Sequence, residues 1–237
     1  MMGPNLSQRS TQPEFMDTQS VSFAEFHDCL RTLRIINTYT LAYRPTLRWF
    51  ERMMAGVGSP ISVLDIGCGG GDMLRQIWKW ARERNLDVEL VGIDLNPWSK
   101  ESAEQVTPTD APIRYETANL FSLDPGRRAD FIVSSLFTHH LTDRELIRFI
   151  QWMDRHATRG WFINDLHRHP LPYFFIQYAV RLLFSNRMIR HDAPVSVARA
   201  FTASEWRQLL VQAGIPAERT SIEWFFPFRY GVACRKA

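Results

Sequence analysis

Residues 63–72, which read Val-Leu-Asp-Ile-Gly-Cys-Gly-Gly-Gly-Asp, decide the fold of this chain. An apolar run of strand type leads into four glycines within residues 67–71, and a helix-like segment follows at once. Glycine permits a tight turn and lets a ligand approach the bare backbone. The stretch therefore predicts a strand, a ligand-binding loop and a helix in succession.

Two carboxylates flank this loop and decide which ligand it accepts. Asp65 precedes the first glycine by two residues, and Asp72 stands where a dinucleotide loop would have its third glycine. Carboxylates repel a pyrophosphate but suit a ligand with an ammonium or a sulfonium group, and S-adenosylmethionine (SAM) carries both. The pattern over residues 65–71 resembles the first motif of the class I SAM-dependent methyltransferases. The resemblance implies cofactor contacts by Asp65, Gly67, Gly69 and Gly71.

A second motif follows at the spacing that this interpretation needs. Residues 88–94 predict a strand that ends in Asp94, 23 residues after Gly71. An acid at this point can accept hydrogen bonds from both ribose hydroxyls of an adenosine. Because NAD would use the same acid, Asp94 alone does not separate a methyltransferase from an oxidoreductase.

Residues after the third and fourth predicted strands complete the expected cofactor site. The family often has an acid where this chain has Asn119, but the side-chain carbonyl of asparagine can still accept a hydrogen bond from the adenine amine. Leu95 and Leu120 are expected to sandwich the adenine ring. Ser135, at the end of the fourth strand, is expected to contact the cofactor.

Strands and helices alternate along the chain, which predicts a mostly parallel sheet with right-handed crossovers. The predicted strands cover residues 61–66, 88–94, 113–117, 129–135, 161–165, 220–226 and 229–234. The predicted helices of this part cover 72–84, 97–106, 142–156 and 202–213, and capping boxes open the last two. The fold class is α/β, a Rossmann-like seven-stranded sheet whose last two strands form an antiparallel hairpin.

Three segments lie outside that alternation. Residues 1–20 are polar and are expected to form a disordered leader. Residues 21–58 are expected to form an N-terminal cap of one or two helices, which Pro45 kinks or divides. A linker at residues 56–60 is expected to separate this cap from the main domain. The methyltransferase domain then covers residues 59–237. Its insertion at 166–201 contains an apolar helix, which predicts a lid over a lipophilic substrate. A buried packing helix and a dimer interface are the alternatives.

The candidate catalytic residues follow the fourth and fifth strands. Residues 134–141 resemble the His-His-Leu stretch of small-molecule methyltransferases related to the ubiquinone and menaquinone biosynthesis enzymes. A phenol must lose a proton as it attacks a methyl group, and histidine is a natural general base. His139 is the preferred base and His140 the alternative. After strand five, His167 is a second base candidate, and Arg168 is expected to stabilise a phenolate or bind a carboxylate.

Composition excludes several partners. A net charge of +3 without a clustered basic stripe does not indicate nucleic-acid binding. The three cysteines have no metal-ligand spacing and no disulfide framework, so no metal site is expected and a reducing, cytoplasmic compartment is. The apolar stretch 171–184 is too short to span a membrane.

These patterns together predict a SAM-dependent enzyme that methylates an oxygen of a small, lipophilic, aromatic acceptor of phenolic, polyketide-like or quinone-like type. Carbon methylation of a quinone-type ring is the alternative, because a base would serve there too. An NAD-dependent oxidoreductase and a SAM-binding protein without transferase activity are the alternatives from other classes.

Overall fold

The computed structural model describes residues 5–18, 21–54, 58, 60–124 and 126–236. The helices are α1 (Phe15–Thr18), α2 (Phe23–Tyr39), α3 (Arg44–Met53), α4 (Asp72–Arg82), α5 (Pro97–Val106), α6 (Asp143–His156), α7 (Pro170–Leu183), α8 (Arg187–Arg199) and α9 (Ala203–Gln212). The strands are β1 (Ile61–Ile66), β2 (Val88–Asp94), β3 (Ile113–Thr117), β4 (Ala129–Ser135), β5 (Ala157–Leu166), β6 (Thr220–Phe225) and β7 (Arg229–Arg235).

The strands form a seven-stranded sheet in the order β3-β2-β1-β4-β5-β7-β6. Strands β1 to β5 pair in parallel, and β7 is antiparallel to both β5 and β6. This architecture confirms the predicted Rossmann-like sheet with its terminal hairpin. β5 is longer than predicted because it begins directly after α6, where Thr158 and Arg159 both bind the Asp130 carboxylate at the start of β4.

The direction of strand order reverses between β1 and β4, and this reversal positions the site. Ligands of open parallel sheets bind outside the carboxyl ends of the strands at such a switch point. Ser135 pairs with Asn164, so the ends of β4 and β5 lie level with one another. The segments that follow β1, β2, β4 and β5 therefore lie together at the carboxyl ends of the strands.

The N-terminal cap is two helices, as predicted, but the division comes earlier than Pro45. α2 ends at Tyr39, and Pro45 lies in the first turn of α3, where a missing N–H breaks no helical hydrogen bond. The buried side chain of Asn164 donates to the carbonyl of Ala42 at 2.7 Å and so ties the cap to β5. Residues 56, 57 and 59 of the predicted linker lie outside the described residues.

Residues 5–18 of the predicted disordered leader pack against the folded domain, so the prediction of disorder is wrong for them. Arg9 donates to the carboxylate of Asp143 and to the carbonyl of Leu141, and the amide of Ser10 donates to the carbonyl of Ala198. Glu14 is only 3% exposed. These polar side chains meet partners far away in sequence, which composition alone does not reveal. Residues 1–4, 19 and 20 of the leader lie outside the described residues.

The insertion contains two helices, α7 and α8, in place of the single helix that the apolar stretch predicts. Val180 of α7 packs against Met188 and Ile189 of α8 and Cys29 of α2. The opposite face of α7 is not covered, and its exposed apolar side chains are Leu171, Phe174, Phe175, Tyr178, Leu182 and Leu183. In the single chain this helix is therefore not the fully buried packing helix that the sequence offers as one alternative. No helix in the described part of the chain has the length and apolarity to cross a membrane.

The centre of β5 allows one test of this packing, at Gly160. A Cβ added there would lie 2.7 Å from the carbonyl oxygen of Cys234 on β7, so Gly160→Ala forces neighbouring strands apart. We expect the substitution to lower the free energy of unfolding by about 1–3 kcal/mol in urea titrations. Gly58→Ala is the matched control, because a Cβ there meets nothing within 4 Å. Equal stability of the two variants would contradict the strand packing described.

Candidate active site

A cavity of about 1320 Å³ opens at the carboxyl ends of β1, β2, β4 and β5. Its lining includes most of the residues that the sequence predicts for the cofactor and for catalysis. They are Asp65, Gly67, Gly69, Asp94, Leu95, Asn119, Leu120, Ser135, His139, His140 and His167. Gly71 and Arg168 are the two predicted site residues that lie outside this lining.

Gly67 and Gly71 of the glycine loop have the same backbone conformation but different surroundings. Both have a φ of +70°, which favours glycine. At Gly67 a Cβ would collide with the ring of Phe137 at 2.5 Å, beside the cavity. Gly71 is buried at the start of α4 against Tyr115, where a Cβ would lie 2.3 Å from the hydroxyl. Gly71 therefore serves the packing of the loop, and its cofactor contact stays a prediction because Gly71 is outside the cavity lining.

Three carboxylates surround the loop. Asp94 accepts hydrogen bonds from the amides of Gly69 (2.8 Å) and Asn96 (2.9 Å), which ties the loop after β1 to the end of β2. Asp65 is buried, and burial together with the charges of Asp72 and Asp94 raises its pKa well above the ordinary value. Among the described residues, Oδ1 of Asp65 has no hydrogen-bond partner. This end of the cavity therefore favours a positively charged ligand.

Asp72 is held by the N-terminal cap. Its Oδ2 accepts from the hydroxyl of Tyr43 at 2.6 Å and from Nδ2 of Asn37 at 3.3 Å. The cap thereby reaches the first turn of α4 and closes one side of the loop. Tyr43 and Asn37 both line the cavity.

Asn119, the residue expected to bind adenine, already accepts a hydrogen bond within its own loop. Oδ1 of Asn119 accepts from the amide of Phe121 at 3.0 Å and caps a 3₁₀ turn over Leu120–Ser122. That carbonyl oxygen has a second lone pair for a ligand. Leu95 is exposed on the cavity wall, whereas Leu120 is buried beneath it.

His139 is oriented by the buried carboxylate of Asp165. Its Nδ1 lies 2.7 Å from Oδ1 of Asp165, and its backbone amide donates to Oδ2 at 3.0 Å. The hydroxyl of Thr138 and the amide of Leu166 also donate to this carboxylate. Burial alone would raise the pKa of Asp165, but the charge of His139 and these hydrogen bonds lower it to about 2.

An ionised Asp165 fixes the tautomer of His139. The carboxylate can only accept, so Nδ1 carries a ring proton, and in the neutral ring Nε2 carries the lone pair. This Nε2 lies 3.7 Å from Oε1 of Glu14. The predicted base therefore presents a proton-accepting atom toward the side where the N-terminal segment covers the cavity.

Sequence reasoning missed Glu14 and Asp17, which lie in the predicted leader. Nδ1 of His140 lies 2.8 Å from Oδ2 of Asp17, and its Nε2 lies 3.8 Å from Oε2 of Glu14. Burial raises the pKa of Glu14 to about 7, against the lowering influence of His140 and a hydrogen bond from Ser196. No motif in the sequence marks these acids, because their partners lie more than 120 positions away.

Of the two catalytic candidates after β5, His167 lines the cavity and Arg168 does not. Arg168 is buried and binds the Glu205 carboxylate through both Nη atoms at 2.9 and 2.7 Å, outside the cavity lining, and this pairing favours a structural role over the predicted catalytic one. His167 lines the cavity, and burial with the positive charges of His169 and Arg168 lowers its pKa to about 4. His167 is therefore neutral at neutral pH and stays a second base candidate.

Arg229 is a further cavity residue that the sequence did not indicate. It is buried at the start of β7, and its Nη2 donates to the hydroxyl of Thr40 at 3.1 Å. Burial lowers its pKa to about 10, although the nearby charge of Asp165 opposes that shift. The guanidinium therefore offsets part of the negative charge of Asp165.

A family model described as a methyltransferase domain matches residues 38–216. This chain belongs to that methyltransferase family. The membership confirms the class of protein that residues 65–71 indicate, and it leaves the oxidoreductase alternative without support. No curated protein sequence matches this methyltransferase.

Solved structures with the same fold are methyltransferases too. The plantazolicin methyltransferase in complex with SAH is 16% identical, with 89% of this chain and 90% of that chain covered and a TM-score of 0.65. Magnesium protoporphyrin IX methyltransferase from Synechocystis with bound SAH is 17% identical over 84% and 83%, with a TM-score of 0.57. Human N-acetylserotonin methyltransferase in complex with SAM is 14% identical over 91% of this chain and 57% of that chain, with a TM-score of 0.65. At these identities the likeness shows a shared fold.

The structural role of Arg168 can be tested through stability. Arg168→Leu leaves Glu205 without its partner, so we expect the free energy of unfolding to fall by roughly 2–4 kcal/mol in chemical denaturation. Arg207→Leu is the control, because Arg207 is exposed on the helix that carries Glu205. A stable Arg168→Leu protein would return Arg168 to the list of catalytic candidates.

Proposed function

We propose that this methyltransferase transfers the methyl group of SAM to an oxygen of a small, lipophilic, aromatic acceptor. One observation carries the proposal: a single cavity joins the acid-flanked glycine loop to the His139 imidazole that Asp165 holds. The first feature suits a cationic nucleoside, and the second suits the removal of a proton.

The residues present fit SAM. Asp94 would hold the ribose hydroxyls, while Asp65 and Asp72 would face the ammonium group. The raised pKa of Asp65 and its unpartnered Oδ1 are the features that a bound cation would relieve. When bound, SAM supplies a methyl group activated by the sulfonium.

His139 receives the proton of the acceptor in this proposal. Asp165 keeps the Nδ1 proton in place, so the Nε2 lone pair is free to accept the proton of a phenol as its oxygen attacks. The imidazolium that forms lies against the Asp165 carboxylate, which stabilises it. Asp165 itself touches neither reactant and acts as a positioning residue.

The walls of the cavity support a lipophilic acceptor. The insertion contributes Leu171, Phe175 and Ile176, and the cap contributes Leu33 and Ile36. These apolar side chains line the cavity, which supports the predicted lid, and Leu171 and Phe175 are also exposed to solvent in the single chain. Carbon methylation of a quinone-type ring stays the alternative, because His139 would accept the ring proton equally well.

Two further proposals concern the state of the protein. The uncovered apolar face of α7 supports the predicted homodimer, because a second copy would remove that face from water. Cys29, Cys68 and Cys234 are free buried thiols, which supports a reducing, cytoplasmic compartment.

The proposed function is tested by incubating the protein with methyl-labelled SAM and a panel of lipophilic phenols and hydroquinones. We expect label in an ether methyl group, located by mass spectrometry and NMR. Label on a ring carbon would establish the alternative reaction. SAM binding with no transfer to any compound would favour a binding protein without transferase activity.

Asp94→Ala tests the cofactor end of the cavity. Loss of a charge-assisted hydrogen bond to the ribose should raise the dissociation constant of SAM by about tenfold or more, measured by calorimetry. Asp110→Ala, at an exposed position, is the control. An unchanged dissociation constant would remove Asp94 from the cofactor site.

His139→Ala tests the proton step. We expect turnover to fall by roughly 100-fold or more, because a positioned general base contributes that much, while the SAM dissociation constant stays within about twofold. His27→Ala on α2, outside the cavity lining, controls for loss of a histidine. Normal turnover of His139→Ala would transfer the base role to His140 or His167.

A further inference from the structure

We infer that Glu14, His139 and His140 form a binding site for a divalent transition-metal ion of the zinc class. Nε2 of His139 lies 3.7 Å from one oxygen of Glu14, and Nε2 of His140 lies 3.8 Å from the other. The three ligand atoms all lie within 4.8 Å of one another. These separations are too long for direct hydrogen bonds and leave room for an occupant between the three groups.

The distances suit a metal ion after small side-chain shifts. Zinc binds imidazole nitrogen at about 2.0–2.1 Å and carboxylate oxygen at about 2.0–2.2 Å, which places tetrahedral ligand atoms roughly 3.3–3.5 Å apart. Each pair in the cluster would close by less than about 1.5 Å, and the carboxylate of Glu14 can rotate to do so. Three protein ligands leave a fourth position open for another ligand, and all three residues line the cavity.

Both histidines are already oriented as metal ligands are. Nδ1 of His139 lies 2.7 Å from Asp165, and Nδ1 of His140 lies 2.8 Å from Asp17. A metal-binding histidine usually donates its other ring N–H to a carboxylate, which fixes the tautomer and makes the ligating nitrogen more basic. Two neighbouring histidines that each have a separate carboxylate partner direct both lone pairs toward Glu14.

The surrounding charges favour a cation. Asp17 and Asp192 add negative charge near Glu14, and burial together with these charges raises the pKa of Glu14. Two nearby cations face the backbone of the cluster and not its ligand atoms, because Arg9 and Arg199 both donate to the backbone carbonyl oxygen of His139. Arg199 also contacts Asp17 at 3.9 Å, at the edge of the cluster.

The site departs from the expectation of no metal, which rested on cysteine spacing. Glu14 lies 125 positions before His139, so no spacing rule covers the pair. Two imidazoles and one carboxylate suit zinc, cobalt or iron better than magnesium or calcium, which prefer oxygen ligands. A bound ion would occupy the Nε2 lone pair that the proposed proton step needs, so metal should inhibit methyl transfer reversibly. That consequence, unlike binding itself, rests on the proposed function.

The experiment uses the full chain without a histidine tag, stripped of metal with a chelator and titrated with Zn²⁺ by calorimetry. We expect one ion per chain, and Co²⁺ should give the visible absorption of a low-coordinate site. Glu14→Gln and His140→Ala should weaken Zn²⁺ binding by at least about tenfold, and Asp17→Asn by about tenfold through the orientation of His140. Glu218→Gln and His27→Ala are the matched controls and should bind Zn²⁺ as the unaltered chain does.

The outcomes separate this site from the proposed function. Folding of each variant is checked by circular dichroism, so that a lost site is not confused with a lost fold. Absence of stoichiometric Zn²⁺ binding, or equal affinity in Glu14→Gln and the controls, would overturn the metal site even if the metal-free protein methylates phenols. Stoichiometric binding that the ligand variants abolish would support the site even if no phenol is methylated.

Discussion

The active-site end of the sheet depends on the buried carboxylate of Asp165. It is fully buried, and it accepts hydrogen bonds from His139, Thr138 and Leu166. A buried charge is tolerated only when it is paired and hydrogen-bonded, so the turn after β4 must fold against the end of β5 in one arrangement. That single requirement fixes the backbone of the turn and the ring orientation of His139, whose Nδ1 lies against Asp165.

The cavity that this turn borders has two chemically different ends. Around the glycine loop, burial and the charges of Asp72 and Asp94 raise the pKa of Asp65, and a cationic ligand would counter that accumulation of carboxylates. Toward the insertion the walls are apolar, with side chains such as Phe175 and Ile176. A methyl donor with a sulfonium and an acceptor without charge would therefore each find the end that matches them, and they would meet beside His139.

The N-terminal segment completes the cavity from outside the sheet. Its Arg9 lies over the ring of Phe201 at 3.8 Å and binds Asp143, and this anchoring sets Glu14 between the two histidines. The polar composition of this segment predicted disorder, because a segment of low hydrophobicity usually cannot bury enough surface to fold. Here the segment is ordered by partners on α6, α8 and the turn after β4, whose positions exist only in the folded domain.

The sequence by itself determined the seven strands, the order of loops and the class of protein. Those features depend on local causes: the period of apolar residues, the glycines that permit the turn at Gly67, and the acids on either side of it. Only the tertiary structure decided which side chains face the cavity. It turned Gly71 toward Tyr115, paired Arg168 with Glu205 and brought Glu14 to His139. These contacts join residues that are far apart in the chain, and they cannot be inferred from the spacing of neighbouring residues.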